Sequence, residues 1–328
     1  MDLLKEVPGI YKFNSYFSNA INLNNNHKQR LFQNYYCISK NPHVVITSEI
    51  TPTIFDYSQV IGKQNLATFI LIPWHSLMYR WDRVSNAIKE HSKIYPNHQI
   101  IHVCNEEIDY RIFKELKVKS IYSNQNALLD YSKFKPLDTK KKYDVIYNGR
   151  LVPSKRHYLL SEFNTELIGL ISASLNKQRS FTYIDMLRKI IPNSKVLNHN
   201  QNNSFHQFDF SSPIKQLNNK QVCEKINLGK VGLILSKIEG ACYASSEYLL
   251  SGLPVVSTYN YGGRDVFFND EFCINTLPIP QSIKNASYDL IKKEIDPSLS
   301  LSKQVVELAE LFRERLTSLV ANWMRIGY

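Results

Sequence analysis

The sequence predicts an α/β protein of two parallel-sheet domains that face each other across a cleft and are closed by one long C-terminal helix. Three observations carry this. Short apolar runs alternate with stretches of helical spacing. The alternation breaks once, at the polar, basic, proline-bearing stretch 133–142, and then restarts. The final stretch, 303–324, keeps an apolar stripe of Val306, Leu308, Leu311, Phe312, Leu316, Leu319, Val320 and Trp323, as an amphipathic helix does.

Residues 44–47, 69–73, 100–104 and 120–122 read as buried strands, with a helix over 108–116. Strand, helix and strand in that order give a parallel sheet with crossover helices. Beyond the break, strands are expected at 143–147, 167–172, 195–197, 231–235, 255–257 and 272–274. Helices are expected to start near Ser154, which can cap one, and over 240–250 and 282–293. The Asn-rich stretches 24–26 and 198–203 read as loops. The domains are then 1–135 and 143–300, joined by a linker at 136–142, with 301–328 packing back toward the first domain.

A chain of 328 residues with 43% hydrophobic content can fill two cores. Its longest apolar run, 66–74, is far short of the ~20 residues of a membrane-spanning helix. The first six residues lack the basic start and apolar stretch of a signal peptide. Five scattered cysteines, none in C-x-x-C spacing, suggest neither a disulfide framework nor a zinc site. A cytoplasmic setting is expected, with peripheral contact at the inner membrane face as a further option. The net charge of +11 suits a phosphate-bearing ligand or an anionic surface. With 140–142 the only tight basic run, no dense stripe of the kind a nucleic-acid binder carries is present, and no nucleic-acid partner is expected.

Chemistry in open parallel sheets lies in the turns after strands. The stretch 236–256 ends a strand at Ser236, places Glu239 and Gly240 in the turn, and continues into a helix carrying Glu247. Gly252 stops the helix and Pro254 precedes the next strand. A helix N-terminus can hold a phosphate, and carboxylates on either side can accept from vicinal hydroxyls. A sugar nucleotide has that layout, a polyol at each end of a diphosphate.

This stretch resembles the E-x7-E region of retaining GT-B glycosyltransferases of the family 4, or group 1, type. Glu239 and Glu247 stand eight positions apart, and 252–256 (Gly-Leu-Pro-Val-Val) falls in register. Residues 147–155, with Gly149, Arg150 and Lys155, resemble the Gly-Arg-Leu-x-x-x-Lys element that opens the family's C-terminal domain. Residues 261–265, with Gly262 and Gly263, resemble its site-closing glycine turn. The resemblance covers 143–293 and implies a GT-B fold. It implies that Arg150 and Lys155 bind the donor diphosphate, Glu247 the ribose and Glu239 the transferred sugar. Gly149, Gly240, Ala241, Cys242, Tyr243, Gly262 and Gly263 would line the donor site. Ala241 and Cys242 stand where the family has an aromatic residue and a second glycine, which leaves the donor sugar open. His75, after an N-domain strand, takes a place where relatives set a histidine against the sugar. Asn105 and Glu106 also end such a strand.

The implied activity is metal-independent transfer of a sugar, with retention, from a UDP- or GDP-sugar to a carbohydrate or lipid-linked acceptor, without a cofactor. The setting by family habit is surface polysaccharide assembly. A sugar-nucleotide epimerase of the same fold and a non-catalytic glycan- or polyanion-binding protein are the alternatives. No D-x-D triplet, G-x-G-x-x-G, P-loop or G-x-S-x-G element occurs, which disfavours other nucleotide enzymes and serine hydrolases. Plainer readings stand beside these: a capping acid for Glu239, a solvated helix carboxylate for Glu247, surface cations for Arg150 and Lys155, and a packed core residue for His75.

Overall fold

A computed structural model describes residues 35–48, 53–73, 76–172, 177–199, 204–207, 214–293 and 300–325. His75 and the Asn-rich stretch 24–26 lie outside the described residues, as does most of 198–203.

The N-terminal sheet runs in the order β1 (Tyr35–Lys40), β2 (His43–Thr47), β3 (Ala67–Leu71), β4 (His98–Cys104), β5 (Ser120–Tyr122). β1 is an antiparallel edge that the sequence pattern did not announce, and the other pairings are parallel. Val45, Phe69 and Ile100 lie in register across β2, β3 and β4. All five residues of β3 are buried, as a strand covered on both faces requires. Helices α1 (Thr53–Ile61), α2 (Trp81–Ile94) and α3 (Glu107–Glu115) supply the crossovers, and Ile54, Ile88 and Phe113 pack with Val45, Phe69 and Ile100.

The second sheet is wholly parallel, in the order β11–β10–β9–β6–β7–β8. Its strands are β6 (Tyr143–Asn148), β7 (Ile168–Ile171), β8 (Lys195–Val196), β9 (Gly229–Ile234), β10 (Val255–Thr258) and β11 (Cys273–Thr276). The chain starts in the middle at β6, runs outward through β8, then returns to β9 on the other flank of β6. That reversal is the topological switch point of a doubly wound sheet, where ligands bind beyond the strand ends. One face carries α4 (Lys177–Ile190) and α7 (Pro280–Lys292), whose Ile184, Leu187, Ile283 and Leu290 pack on Val145, Leu170 and Val231. The other carries α5 (Asn219–Ile226) and α6 (Tyr243–Leu250), whose Ile226 and Tyr248 pack on Ile146, Ile234 and Val255.

The helix expected from Ser154 does not form. Pro153–Lys155 and His157–Leu160 are separate 3-10 turns, broken at Arg156, which is left-handed with φ 53° and ψ 40°. That backbone turn aims the Arg156 guanidinium at the Leu235 carbonyl and at Thr258 Oγ1, 2.6 Å away. A long-range contact at the strand ends overrides the local helical signal.

The C-terminal helix α8 (Ser300–Arg325) serves both halves. Its Val305, Ala309 and Phe312 join the core under the second sheet, and Leu316 joins Val44, Ile46, Ile70 and Val103 under the first. Leu311 of the expected stripe faces solvent instead, while Val305 and Ala309 point inward. The segment after β5 is laced to α8: Ser123 Oγ donates to the Phe312 carbonyl at 3.0 Å, and Arg313 donates to the carbonyls of Ala127 and Leu129. The stretch 136–142 is tied down along Asn227, which accepts from Leu137 N–H at 2.9 Å and from the Lys141 ammonium at 2.9 Å. Among the described residues no helix is long and apolar enough to cross a membrane.

Candidate active site

At the switch point the ends of β6 and β9 lie side by side, and the motif residues meet there. Asn148, the last residue of β6, donates its side-chain amide to Glu247 Oε2 at 2.8 Å and its backbone N–H to the Tyr248 hydroxyl at 2.5 Å. Glu247 is buried, on a helix whose residues 244–250 are all buried. It is therefore no solvated surface carboxylate. Gly149 and Arg150 follow Asn148 directly, and Arg150 is exposed.

From the turn after β6, the Lys155 ammonium pairs with Glu239 Oε1, each side chain about one-sixth exposed, at 15% and 17%. Ser236 Oγ, at the end of β9, donates to the same carboxylate oxygen at 2.6 Å. Of the four residues that the resemblance singles out, Lys155 and Glu239 pair directly, Glu247 lies against the last residue of β6, and Arg150 stands exposed two positions beyond that residue.

The glycine turn lies on top of the Glu239 turn. Gly262 has φ 132°, and a Cβ there would land on the Glu239 carbonyl. Gly263 N–H donates to the Gly240 carbonyl at 2.7 Å, and Glu239 N–H to the Tyr261 carbonyl at 3.2 Å. Beneath it Arg264 is fully buried, an unusual place for a guanidinium. It donates to the Ser236 carbonyl at 2.5 Å, to Ser257 Oγ at 2.9 Å and to the Thr258 carbonyl, which pins the ends of β9 and β10 together.

The N-terminal domain reaches this edge through amides. A Cβ on Gly263 would collide with the Asn105 carbonyl, so the two domains touch at that glycine. Asn124 Nδ2 donates to the carbonyls of Asn105 (2.9 Å) and Gly263 (2.7 Å). Asn126 Nδ2 donates to the Cys242 carbonyl at 3.0 Å, and Gln125 Nε2 to the Tyr243 hydroxyl at 3.0 Å. The predicted residues Cys242 and Tyr243 therefore sit on the domain boundary. Burial raises both the Cys242 thiol and the Tyr243 phenol, so both stay protonated at neutral pH. Ala241 is half-buried beside them.

Glu106, at the end of β4, is pushed up to about 7, first by burial and then by the charges of Asp109 and Asp265, against the pull of the Gly262 N–H. Sequence reasoning missed Asn148, Ser236, Arg156 and the buried role of Arg264, and it found no role for Asn124 and Asn126. Among the described residues no group of three His, Cys, Asp or Glu is placed to hold a metal ion.

No protein-family model and no curated protein matches the sequence. Solved structures do. HepE of Anabaena, in complex with UDP and glucose, matches with a TM-score of 0.58 at 12% identity, over 86% of this chain and 77% of HepE. Sucrose-phosphate synthase of Thermosynechococcus elongatus matches with a TM-score of 0.60 at 12% identity, over 86% of this chain and 74% of the synthase. The pneumococcal O-GlcNAc transferase GtfA, in complex with UDP and GlcNAc, matches with a TM-score of 0.53 at 13% identity, over 87% of this chain and 56% of GtfA. At such identities the likeness is one of architecture: two parallel-sheet domains in the GT-B arrangement that glycosyltransferases use.

Proposed function

We propose that the protein is a glycosyltransferase that moves a sugar from a nucleotide diphosphate donor to a carbohydrate or lipid-linked acceptor. The observation that carries this is the meeting of Lys155 with Glu239, and of Asn148 with Glu247, at the switch point of the second sheet. The HepE and GtfA structures are complexes with UDP, which makes UDP the first nucleotide to try.

In this reading Glu247, held by Asn148, accepts from the ribose hydroxyls. Glu239 accepts from hydroxyls of the transferred sugar. Lys155 turns from Glu239 toward the diphosphate, where Arg150 stands exposed at the same strand end. Departure of the nucleoside diphosphate leaves charge on its phosphate oxygens, and the two cations with the first-turn N–H groups of α6 offset it. The leaving group then needs no metal. The likeness to retaining enzymes suggests that the acceptor hydroxyl attacks from the face the leaving group vacates, so no side chain is assigned as a nucleophile. A cleft between two domains orients both substrates and excludes water. A net charge of +11 suits peripheral work on a lipid-held acceptor at the anionic cytoplasmic face of a membrane.

A thermal-shift screen of the full chain against UDP-, GDP-, ADP- and CMP-sugars tests the reading. One nucleotide class should raise the melting midpoint, and Lys155→Ala should remove that gain. Failure of every nucleotide sugar to bind would sink it. If UDP release from a bound UDP-sugar proceeds without any acceptor and yields an epimer, the epimerase of the same fold replaces it.

A further inference from the structure

The N-terminal domain carries a second, unassigned hollow of about 650 Å³ at the edge of its sheet opposite the cleft. The cleft receives the carboxyl ends of β4 and β5 through Asn105 and Asn124. The hollow is walled instead by the starting residues of β3 and β4, by the end of α2 and by the loop before β5. The length of β4 alone, about 20 Å, separates the two places.

Lys89 and Lys93 of α2, and Lys117 and Lys119 of the loop, line this hollow, and no Asp or Glu among the described residues does. Lys89 and Lys93 are one helical turn apart, a like-charge spacing that disfavours the helix unless an anion offsets it. Lys93 pairs with Glu90 at 2.6 Å on the exposed rim. Lys117 is left-handed at φ 57° and closes α3, with its N–H donating to the Lys114 carbonyl at 3.1 Å and Val118 N–H to the Phe113 carbonyl at 2.8 Å. Glycine or asparagine is the low-strain residue at such a helix end. A lysine there accepts strain and delivers a cation to the hollow. Gln99 adds a separate signal: its Oε1 is taken by the Lys119 ammonium, and its Nε2 is buried with no acceptor among the described residues.

We propose that this hollow binds a phosphate ester: the lysine ammoniums surround the phosphate as point charges, and the Gln99 amide supplies a directed donor. The space has room for a phosphate with a glycerol- or sugar-sized substituent. The chemistry is the same for a soluble phosphate ester and for a lipid headgroup. The proposal stands apart from the donor site and does not depend on it.

The test is calorimetric titration of the full chain with inorganic phosphate and with glycerol 3-phosphate, beside co-sedimentation with phosphatidylglycerol and with phosphatidylcholine vesicles. Three proteins are compared: the unaltered chain, Lys89→Gln/Lys117→Gly, and Lys155→Ala. Lys117→Gly keeps the left-handed backbone while removing the charge, and Lys89→Gln alone carries the test should the double variant fold poorly. Lys155→Ala should keep the phosphate-ester site of the hollow whatever it loses at the donor site, and the double variant should bind at the hollow roughly tenfold more weakly or worse. Loss of soluble-ester binding assigns a free phosphate, and loss confined to the anionic vesicles assigns a headgroup. The proposal is overturned if the unaltered chain binds none of the three anionic probes, if the double variant binds undiminished, or if Lys155→Ala alone loses binding.

Discussion

The Lys155 ammonium and the Glu239 carboxylate form an ion pair that bridges the turn after β6 to the turn after β9. Neither group is fully dry, so a ligand can enter and redistribute the pair, and neither is free in solvent, so each stays in place until one does. Under the proposed function the pair is the resting form of a site that takes a third charged group.

Lys155→Ala leaves Glu239 with Ser236 as its neutral partner. Water can reach the carboxylate, and the folding free energy should move by only about 1 kcal/mol. Turnover with the preferred nucleotide sugar should fall roughly 100-fold or more, since a cation aimed at the leaving group is lost. Steady-state kinetics beside urea melts separate the two effects. Equal losses in both would place Lys155 in folding instead of chemistry.

Glu247→Gln keeps the shape of the contact with Asn148 but removes the charged acceptor. Nucleotide affinity should weaken roughly tenfold to a hundredfold. A cycle with the 2′-deoxy and 3′-deoxy nucleotides locates the contact. If Glu247 holds the ribose, one of the deoxy ligands should lose little further affinity in the variant.

Gly262→Ala should be costly whatever the ligand. The new methyl meets the Glu239 carbonyl, and the φ of 132° is strained for any residue with a Cβ. A loss of about 2 kcal/mol or more in urea unfolding is expected. Where the fold survives, the Glu239 turn must shift and donor binding should drop with it.

The pH dependence of stability has two opposed parts. Glu106 is raised from 4.5 to about 7 by burial and by Asp109 and Asp265, so what it contributes is present below pH 4.5 and lost as the pH climbs through about 7. His91 is lowered from 6.5 to about 4 by burial and by His98, so its contribution is present above pH 6.5 and lost as the pH drops through about 4. His102 and His157, lowered to about 3 by burial, add to the second part. The first part offsets some of the second in the unaltered protein. In Glu106→Gln the Glu106 share of the first is gone, and the urea midpoint should climb more steeply between pH 4.5 and 7 than it does in the parent. Parallel curves would show that Glu106 titrates normally.

The second sheet was legible because each of its chemical residues lies within a strand, a turn and the start of a helix, all close in sequence. Glu239 and Glu247 needed only the apolar runs on either side to be placed. The contribution of the first domain was not legible for the opposite reason. Asn124 meets Gly263 across 139 positions and Asn126 meets Cys242 across 116, and a lone amide leaves no periodic trace. The interior place of Arg264 was not legible because arginine is rarely buried and its partners Ser236, Ser257 and Thr258 belong to two other strand ends. The helix placed after Ser154 failed because local propensity could not register the attraction of Arg156 to Leu235 and Thr258.

The bridging helix α8 bears on how the molecule can be taken apart. Phe312 completes one hydrophobic interior and Leu316, one turn later, completes the other. A cut between the sheets would leave the upstream fragment without its underside and the downstream one with an oily ridge and nothing to cover it. Chimeras that exchange halves with other GT-B proteins would therefore have to carry a matched tail from the first partner, and a chain that stops before Val305 should be insoluble, with both interiors laid open.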